Sequence, residues 1–340
     1  MNLPDELHNQ LTAFVRAHTA DAAASIAGLR AMPGHAGFSY GFTAKYRDDN
    51  ALQTEAFVLR LPPPGARYEG TADVLRQVRV LDVLRESGVP VAPVRWSGDD
   101  PRWFGRPYFI VPRLPGDTLR AGEGSWESWS VETLRAMAQQ VIEAMAALHA
   151  VDWEGVLPAW GPPLDTATDV VRWDRFFERS ADPELVSAAP EVRRRLLAQM
   201  PAAPHNGVVH GDFQWTNVLF DGDRLVAVLD WELVGIGPVL NDLGWIMVFS
   251  DPENWTSEVY TTAPLPSPAA LRSMYATAAG RNPGDLSWYR ALAGYKFAII
   301  SGFNLMLHRR GRRDDPFWEL LAPSIPLLLR RALDLLDGSN

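Results

Sequence analysis

Three side chains in the segment 208–232, VVHGDFQWTNVLFDGDRLVAVLDWE, could do chemistry together: Asp212, Asn217 and Asp230. VVH and VLF are apolar runs on either side of a polar turn, DGDR is a tight reversal, and LVAVLD is a second apolar strand. A β-hairpin so built brings the end of its second strand back beside the start of its first. The two carboxylates and the amide oxygen are therefore expected to converge on one cleft. Donors that are all oxygen suit Mg2+, which keeps waters and shares its shell with phosphates. A lone Asp or Asn in a loop is usually a turn former bonding its own backbone, and Asp221, Gly222 and Asp223 are read that way. For the triple, order, spacing and strand context agree at once, which is the context a motif needs.

An Asp followed five residues later by Asn, then by a second Asp after a strand, is the catalytic order of the protein-kinase fold. His210-Gly211-Asp212 stands where protein kinases carry His-Arg-Asp, and Asp230-Trp231-Glu232 where they carry Asp-Phe-Gly. In those substitutions the chain resembles the aminoglycoside phosphotransferase and choline kinase superfamily. Within it, the resemblance is greatest to the branch related to the kinase-like domain of acyl-CoA dehydrogenase fusion proteins, from about residue 31 to beyond 304. That resemblance implies an α+β, bilobal protein-kinase-like fold. A small antiparallel-sheet N-terminal lobe would take residues 1–112, and a larger, mainly helical C-terminal lobe 113–340. It also implies ATP (or GTP) and Mg2+, with the γ-phosphate passing to a hydroxyl of a small metabolite or antibiotic. Asp212 would be the base, with Asn217 and Asp230 on the metal. His210 is read as a brace for the loop, because Asp212 already holds the base position.

The upstream elements should serve this loop. GHAGFSYGFTAKY is a Gly-rich segment between β-like runs, and Phe57, Val58 and Leu59 form a strand ended by Pro62, Pro63 and Pro64. The resemblance makes Gly37, Phe38, Ser39 and Gly41 the residues near the phosphates, where small residues let backbone N–H groups approach anionic oxygens. Arg60 stands where the kinase fold has a strand Lys, and a guanidinium can offer phosphate a planar, permanently charged fork. Residues 71–86 read as a helix capped by Thr71 and stopped near Gly88-Val89-Pro90. Related sequences carry on that helix a Glu paired with the strand cation. The matching position here is Gln77, which can accept a hydrogen bond from Arg60 but supplies no charge, and Asp73 one turn earlier is the alternative acid. Val111, Arg113 and Leu114 are implied hinge contacts of the adenine, beside Pro112, which lacks an N–H. Leu219, after the base loop, completes the implied nucleotide contacts.

Residues 131–150 form a long amphipathic helix whose Met137, Val141, Met145 and Leu148 are read as core. Helices are also expected over 168–178, 191–200, 286–307 and 323–336, with acceptor-binding structure between the first two. The resemblance casts His149 as structural and Asp242 as a support of the metal-binding loop. The basic run RRGRR, 309–313, is read as a solvated helix end.

Composition bounds the answer without choosing it. There are 32 Lys and Arg against 41 Asp and Glu, a formal charge of −9. This opposes a nucleic-acid surface, which would be basic, and favours a neutral or cationic acceptor. With no Cys, disulfides, thiolate metal sites and thiol catalysis are excluded. The N-terminus lacks the pattern of a signal peptide, and no apolar run approaches a membrane span, so a cytoplasmic protein without a membrane partner is expected. The 13 Trp fit core positions more readily than an aromatic acceptor pocket. Two other readings stand beside the kinase: a nucleotide binder of the same fold with weak or no turnover, and a metal-dependent phosphoesterase. The latter needs His-rich ligand motifs, whereas His8, His18, His35, His149, His205 and His308 are scattered singly. Nothing in the sequence sets the acceptor or the oligomeric state.

Overall fold

In the computed structural model, residues 3–32, 38–49, 51–119, 129–158, 160–259 and 265–338 are described. They form two units, one of residues 1–115 with 226–233, the other of 116–225 with 234–340.

The first unit is built on an antiparallel sheet. Its strands are β1 (Ser25–Ala31), β2 (Phe38–Asp48), β3 (Ala51–Leu61), β4 (Trp96–Gly98) and β5 (Tyr108–Pro112), in the order β1-β2-β3-β5-β4. Phe42, Ala44 and Tyr46 alternate into the core from β2, and Phe57, Leu59 and Leu61 from β3. Helix α1 (Leu3–Thr19) covers that face with Leu11, Phe14 and Val15, all fully buried. The Phe14 ring meets Trp96, Trp103 and Tyr108 edge-on at 5.2–5.8 Å, the arrangement aromatic quadrupoles prefer. Strand parity then settles Arg60: with Leu59 and Leu61 inside, it projects from the opposite face, directly across from Ser39.

Helix α2 (Val74–Glu86) differs from the expected start. Thr71 lies in a short 3-10 turn, Gly70–Ala72, and the cap is Asp73, whose carboxylate accepts from the Arg76 N–H at 2.9 Å. An Asp at this position satisfies one of the helix's orphan donors, so the helix begins two residues later than Thr71 would place it. A four-residue helix, α3 (Pro101–Phe104), completes the unit before β5.

The second unit is mainly helical. After β6 (Asp117–Thr118) come α4 (Val131–His149), α5 (Trp153–Val156), α6 (Thr166–Val171), α7 (Asp174–Phe177) and α8 (Ala189–Ala198). Ser130 caps α4, and Met137, Val141, Met145 and Leu148 are buried as its spacing predicts. Four strands follow: β7 (Asn206–Val209), β8 (Val218–Asp221), β9 (Arg224–Val228) and β10 (Gly235–Pro238). Strand β9 carries the chain back into the first unit. The helices that close the second unit are α9 (Leu240–Ser250), α10 (Pro268–Ala278), α11 (Ser287–Arg309), α12 (Phe317–Leu321) and α13 (Ile325–Leu336). Helix α11 lies at the centre and packs on α8, α9 and α13.

The strand pairing keeps the DGDR reversal, with β8 and β9 neighbours in the sheet β6-β8-β9, but corrects the place of VVH in the hairpin expected above. VVH does not belong to a hairpin with LVAVLD; β7 pairs antiparallel with β10, with Val209 opposite Gly235 and Asn206 opposite Pro238. The strand entering the base loop thus lies beside the strand that follows the Asp230 tripeptide. Strand β8 pairs with β6, Leu219 opposite Thr118.

Helix α9 approaches α11 through Gly244, where an added Cβ would lie 2.6 Å from the Tyr289 carbonyl oxygen. Backbone cannot yield as a flexible side chain would, so Gly244→Ala is expected to cost about 2 kcal/mol, read as a lowered Tm. Among the described residues, no helix is long and apolar enough to cross a membrane.

Candidate active site

In the second unit, β7 leads through His210 and Gly211 to Asp212. Gly211 adopts φ +84°, a left-handed turn that glycine makes without steric cost. A 3-10 turn over Trp215–Asn217 then folds the loop back. Four hydrogen bonds converge on the Asp212 carboxylate. Oδ1 accepts from Trp245 Nε1 at 2.8 Å and from Gln214 Nε2 at 2.9 Å. Oδ2 accepts from the same Gln214 nitrogen at 3.0 Å and from Asn217 Nδ2 at 2.9 Å. Asn217 Nδ2 also donates to the Asp212 carbonyl at 2.9 Å. Both of its partners are acceptors, so the amide nitrogen must face them and the amide oxygen is turned elsewhere. Burial pushes the Asp212 carboxyl above the ordinary range, against the opposing pull of His210 and the three donors.

The loop has its own brace. Asp242, in the first turn of α9, is almost wholly buried and accepts the His210 N–H at 2.7 Å and the Gly211 N–H at 2.9 Å. His149 Nε2 lies 3.3 Å from the same carboxylate, and His149 Nδ1 lies 2.9 Å from the Tyr275 hydroxyl. Burial alone would raise the Asp242 carboxyl; hydrogen bonding and charge from His149 and His210 outweigh it and hold the group below its usual range. The resemblance cast Asp242 as a support of the metal-binding loop. Its hydrogen bonds instead hold the base loop, because the first turn of α9 presents the carboxylate to successive backbone N–H groups there. His210 is buried, and its Nδ1 accepts the Asp212 N–H at 3.2 Å, a bracing role.

The first unit carries the other half of the motif. Asp230 has φ +63°, an uncommon conformation for a residue with a Cβ, of the kind that clusters at functional sites. Trp231 is buried and donates from Nε1 to the Val228 carbonyl at 2.9 Å, pinning the centre of the tripeptide. On either side of it, Glu232 Oε2 lies 2.5 Å and Asp230 Oδ1 3.4 Å from Arg60 Nη2, while Arg60 Nη1 donates to Ser39 Oγ at 2.9 Å. Arg60 therefore does not take Gln77 as its partner. Gln77 is buried on α2 with Nε2 unpartnered, and Asp73 is used as the helix cap.

The remaining expected nucleotide residues are less concentrated. Gly37 lies outside the described residues. Phe38, Ser39 and Gly41 sit on β2 itself, with the Arg106 guanidinium 5.4 Å from the Phe38 ring centroid. A Cβ at Gly41 would meet Met32 Sδ at 2.8 Å. Val111 pairs with Val58, and the Arg113 N–H donates to the Ala56 carbonyl at 2.8 Å, so that donor is committed to the sheet. Leu114 is half-buried in the first unit, and Leu219 is buried on β8 in the second. In the basic run, Arg309 forms a two-pronged pair with Glu319, and Arg313 donates to Asn304.

The model of the phosphotransferase enzyme family matches residues 38–292. The chain belongs to that family. Acyl-CoA dehydrogenase family member 11 of Mus musculus is 27% identical to this phosphotransferase-family chain over 261 residues, 73% of the chain but 33% of that longer protein. The chain thus spans about a third of that relative's length. A Ralstonia eutropha JMP134 protein provisionally assigned as an aminoglycoside phosphotransferase superposes with a TM-score of 0.76 at 22% identity, covering 96% of this chain and 98% of that one. A thermostable mutant of aminoglycoside phosphotransferase APH(4)-Ia, in a ternary complex with ADP and hygromycin B, superposes with a TM-score of 0.58 at 18% identity, over 95% and 98%. The fold is α+β and kinase-like, with a five-stranded antiparallel sheet and many helices.

In this phosphotransferase-family chain, Asn217 in the second unit and Asp230 in the first are each an oxygen donor of the type a hard cation takes. One carboxylate in a strained loop and one amide oxygen are offered, and no group of three His, Cys, Asp or Glu forms a metal cage among the described residues. Sequence reasoning missed Gln214, Trp245 and the part played by Glu232. A signal existed for Trp245, which is three residues after Asp242 on α9 and so shares its face.

Proposed function

We propose that this chain is an ATP-dependent phosphotransferase that moves the γ-phosphate to a hydroxyl of a small molecule. Asp212 is the base, Asn217 and Asp230 hold Mg2+, and Arg60 meets the phosphates. The observation that carries this reading is the construction around Asp212, a partly buried carboxylate gripped by three side-chain donors in a loop braced by Asp242. The ADP complex of APH(4)-Ia supports a nucleotide donor. Mg2+, when bound, supplies charge neutralisation at the phosphates.

The protein's own contribution is alignment and proton transfer. A carboxylate has about four acceptor sites, and here four donor contacts occupy them. An acceptor hydroxyl must displace one donor before Asp212 can take its proton. Gln214 is the one that yields: Trp245 is anchored in α9, and Asn217 is tied also to the Asp212 carbonyl. The hydroxyl then points its oxygen toward the γ-phosphorus while Trp245 and Asn217 keep the carboxylate aimed. Gln214→Ala is therefore expected to change the acceptor KM by about tenfold while kcat moves less. Steady-state kinetics with the acceptor varied reads that split.

The deciding experiment is Mg2+-dependent ATP consumption over a panel of hydroxyl acceptors, wild type against Asp212→Ala. Turnover lost in the variant supports the kinase. Tight ATP binding without turnover on any acceptor supports the nucleotide binder instead.

A further inference from the structure

Position 77 of α2 is Gln where an acid was expected, and that acid has a counterpart in the tripeptide after β9. We propose that Glu232 is the positioning residue for Arg60, taking the part that an acid on α2 plays in related sequences. This rests on the phosphotransferase reading above. Arg60 is held at two corners, by Ser39 Oγ at 2.9 Å and by Glu232 Oε2 at 2.5 Å. The side chains of Arg60 and Glu232 are 18% and 14% exposed, so the pair is largely removed from water and its attraction is less screened than on a surface. Glu232 is itself fixed. Its neighbour Trp231 is buried and bonded to Val228, whose N–H donates to the Pro90 carbonyl at 2.8 Å.

The two acids of the tripeptide are not equivalent. Glu232 takes the short contact, and Asp230 is left 3.4 Å from the same nitrogen. That division keeps Asp230 available to a cation while Arg60 stays beside it. Without the Glu232 charge, the guanidinium has Asp230 as its nearest anion and settles there, opposing metal at the same carboxylate. Loss of Glu232 thus produces two linked defects, a misplaced phosphate cation and a raised metal requirement. A purely structural role would produce neither at constant fold.

The test uses the full chain and calorimetric binding of AMP-PNP across a Mg2+ titration. Glu232→Gln is expected to weaken nucleotide binding about tenfold, the scale of one charge-assisted contact, and to raise the Mg2+ concentration needed for half-saturation. Adding Gln77→Glu to that variant returns an acid to α2 and is expected to restore affinity. Glu232→Asp keeps the charge but withdraws it by one methylene, and it serves if Glu232→Gln folds poorly. It should show the same two shifts, smaller, at wild-type Tm. Wild-type affinity and Mg2+ dependence in both Glu232 variants would overturn the assignment while leaving the phosphotransferase reading intact. A wild-type protein that binds no nucleotide would overturn both.

Discussion

Asp212→Asn is expected to lower phosphoryl transfer by about 10²- to 10⁴-fold, the range for removing a positioned general base, while Mg·ATP still binds. The substitution is close to isosteric but replaces one carboxylate oxygen with an NH2 group. Trp245 Nε1, Gln214 Nε2 and Asn217 Nδ2 are all donors, so whichever way the new amide turns, its nitrogen faces at least one of them. Proton acceptance and the local grip are therefore lost together. Asp212→Ala removes the same base without that donor conflict. If the two variants lose activity equally, proton acceptance is the dominant contribution; a worse Asn variant measures the cost of facing donors. The comparison is made by single-turnover kinetics on a hydroxyl acceptor, with AMP-PNP affinity measured in parallel. Retained turnover in Asp212→Ala would sink the assignment of the base.

What the sequence made legible follows how far apart the interacting parts lie along the chain. The base loop is compact: Asp212, Asn217 and their turn fall within a few residues, so order and spacing alone expose it. Arg60 was legible through the resemblance, at the place of the kinase strand Lys, and the burial of Phe57, Leu59 and Leu61 then set its face. The pairing of β7 with β10 was not, since GIGP offers two Gly and a Pro where strand propensity expects branched or aromatic residues. Tertiary pairing overrides that weak local signal. The start of α2 was ambiguous because Thr71 and Asp73 are both good caps, and only the backbone shows which side chain reaches an open N–H. Glu232 was visible within its tripeptide, but its partner lies on a strand far earlier in the chain, and no periodicity links the two. The fused contacts on Asp212 show the same division. Asn217 was found by spacing, whereas Trp245 became evident only when α9 presented it.

Asp242→Asn is expected to cost about 3–5 kcal/mol of stability, the range for breaking a buried charged interaction by removing one partner. The carboxylate satisfies two backbone N–H groups of the base loop and lies against His149, with 1% of the residue exposed. An amide of the same shape cannot accept from both N–H groups through two oxygens. Its NH2 must oppose one of them in a buried site. The effect should appear as a lower midpoint in urea with little change in slope, together with weakened phosphoryl transfer, because the loop that aims Asp212 hangs from these bonds. The pH dependence supplies a second, independent readout. The folded carboxyl titrates below its ordinary range, so the unfolded chain takes up the proton first as pH falls. The stability from Asp242 is therefore fully present above about pH 4, the ordinary Asp range, and is lost as pH drops from there through the lower folded pKa. Wild type should thus lose stability more steeply than Asp242→Asn on acidification below that point, and their stabilities should converge. Parallel acid profiles for the two proteins would show that Asp242 does not carry this ionic brace.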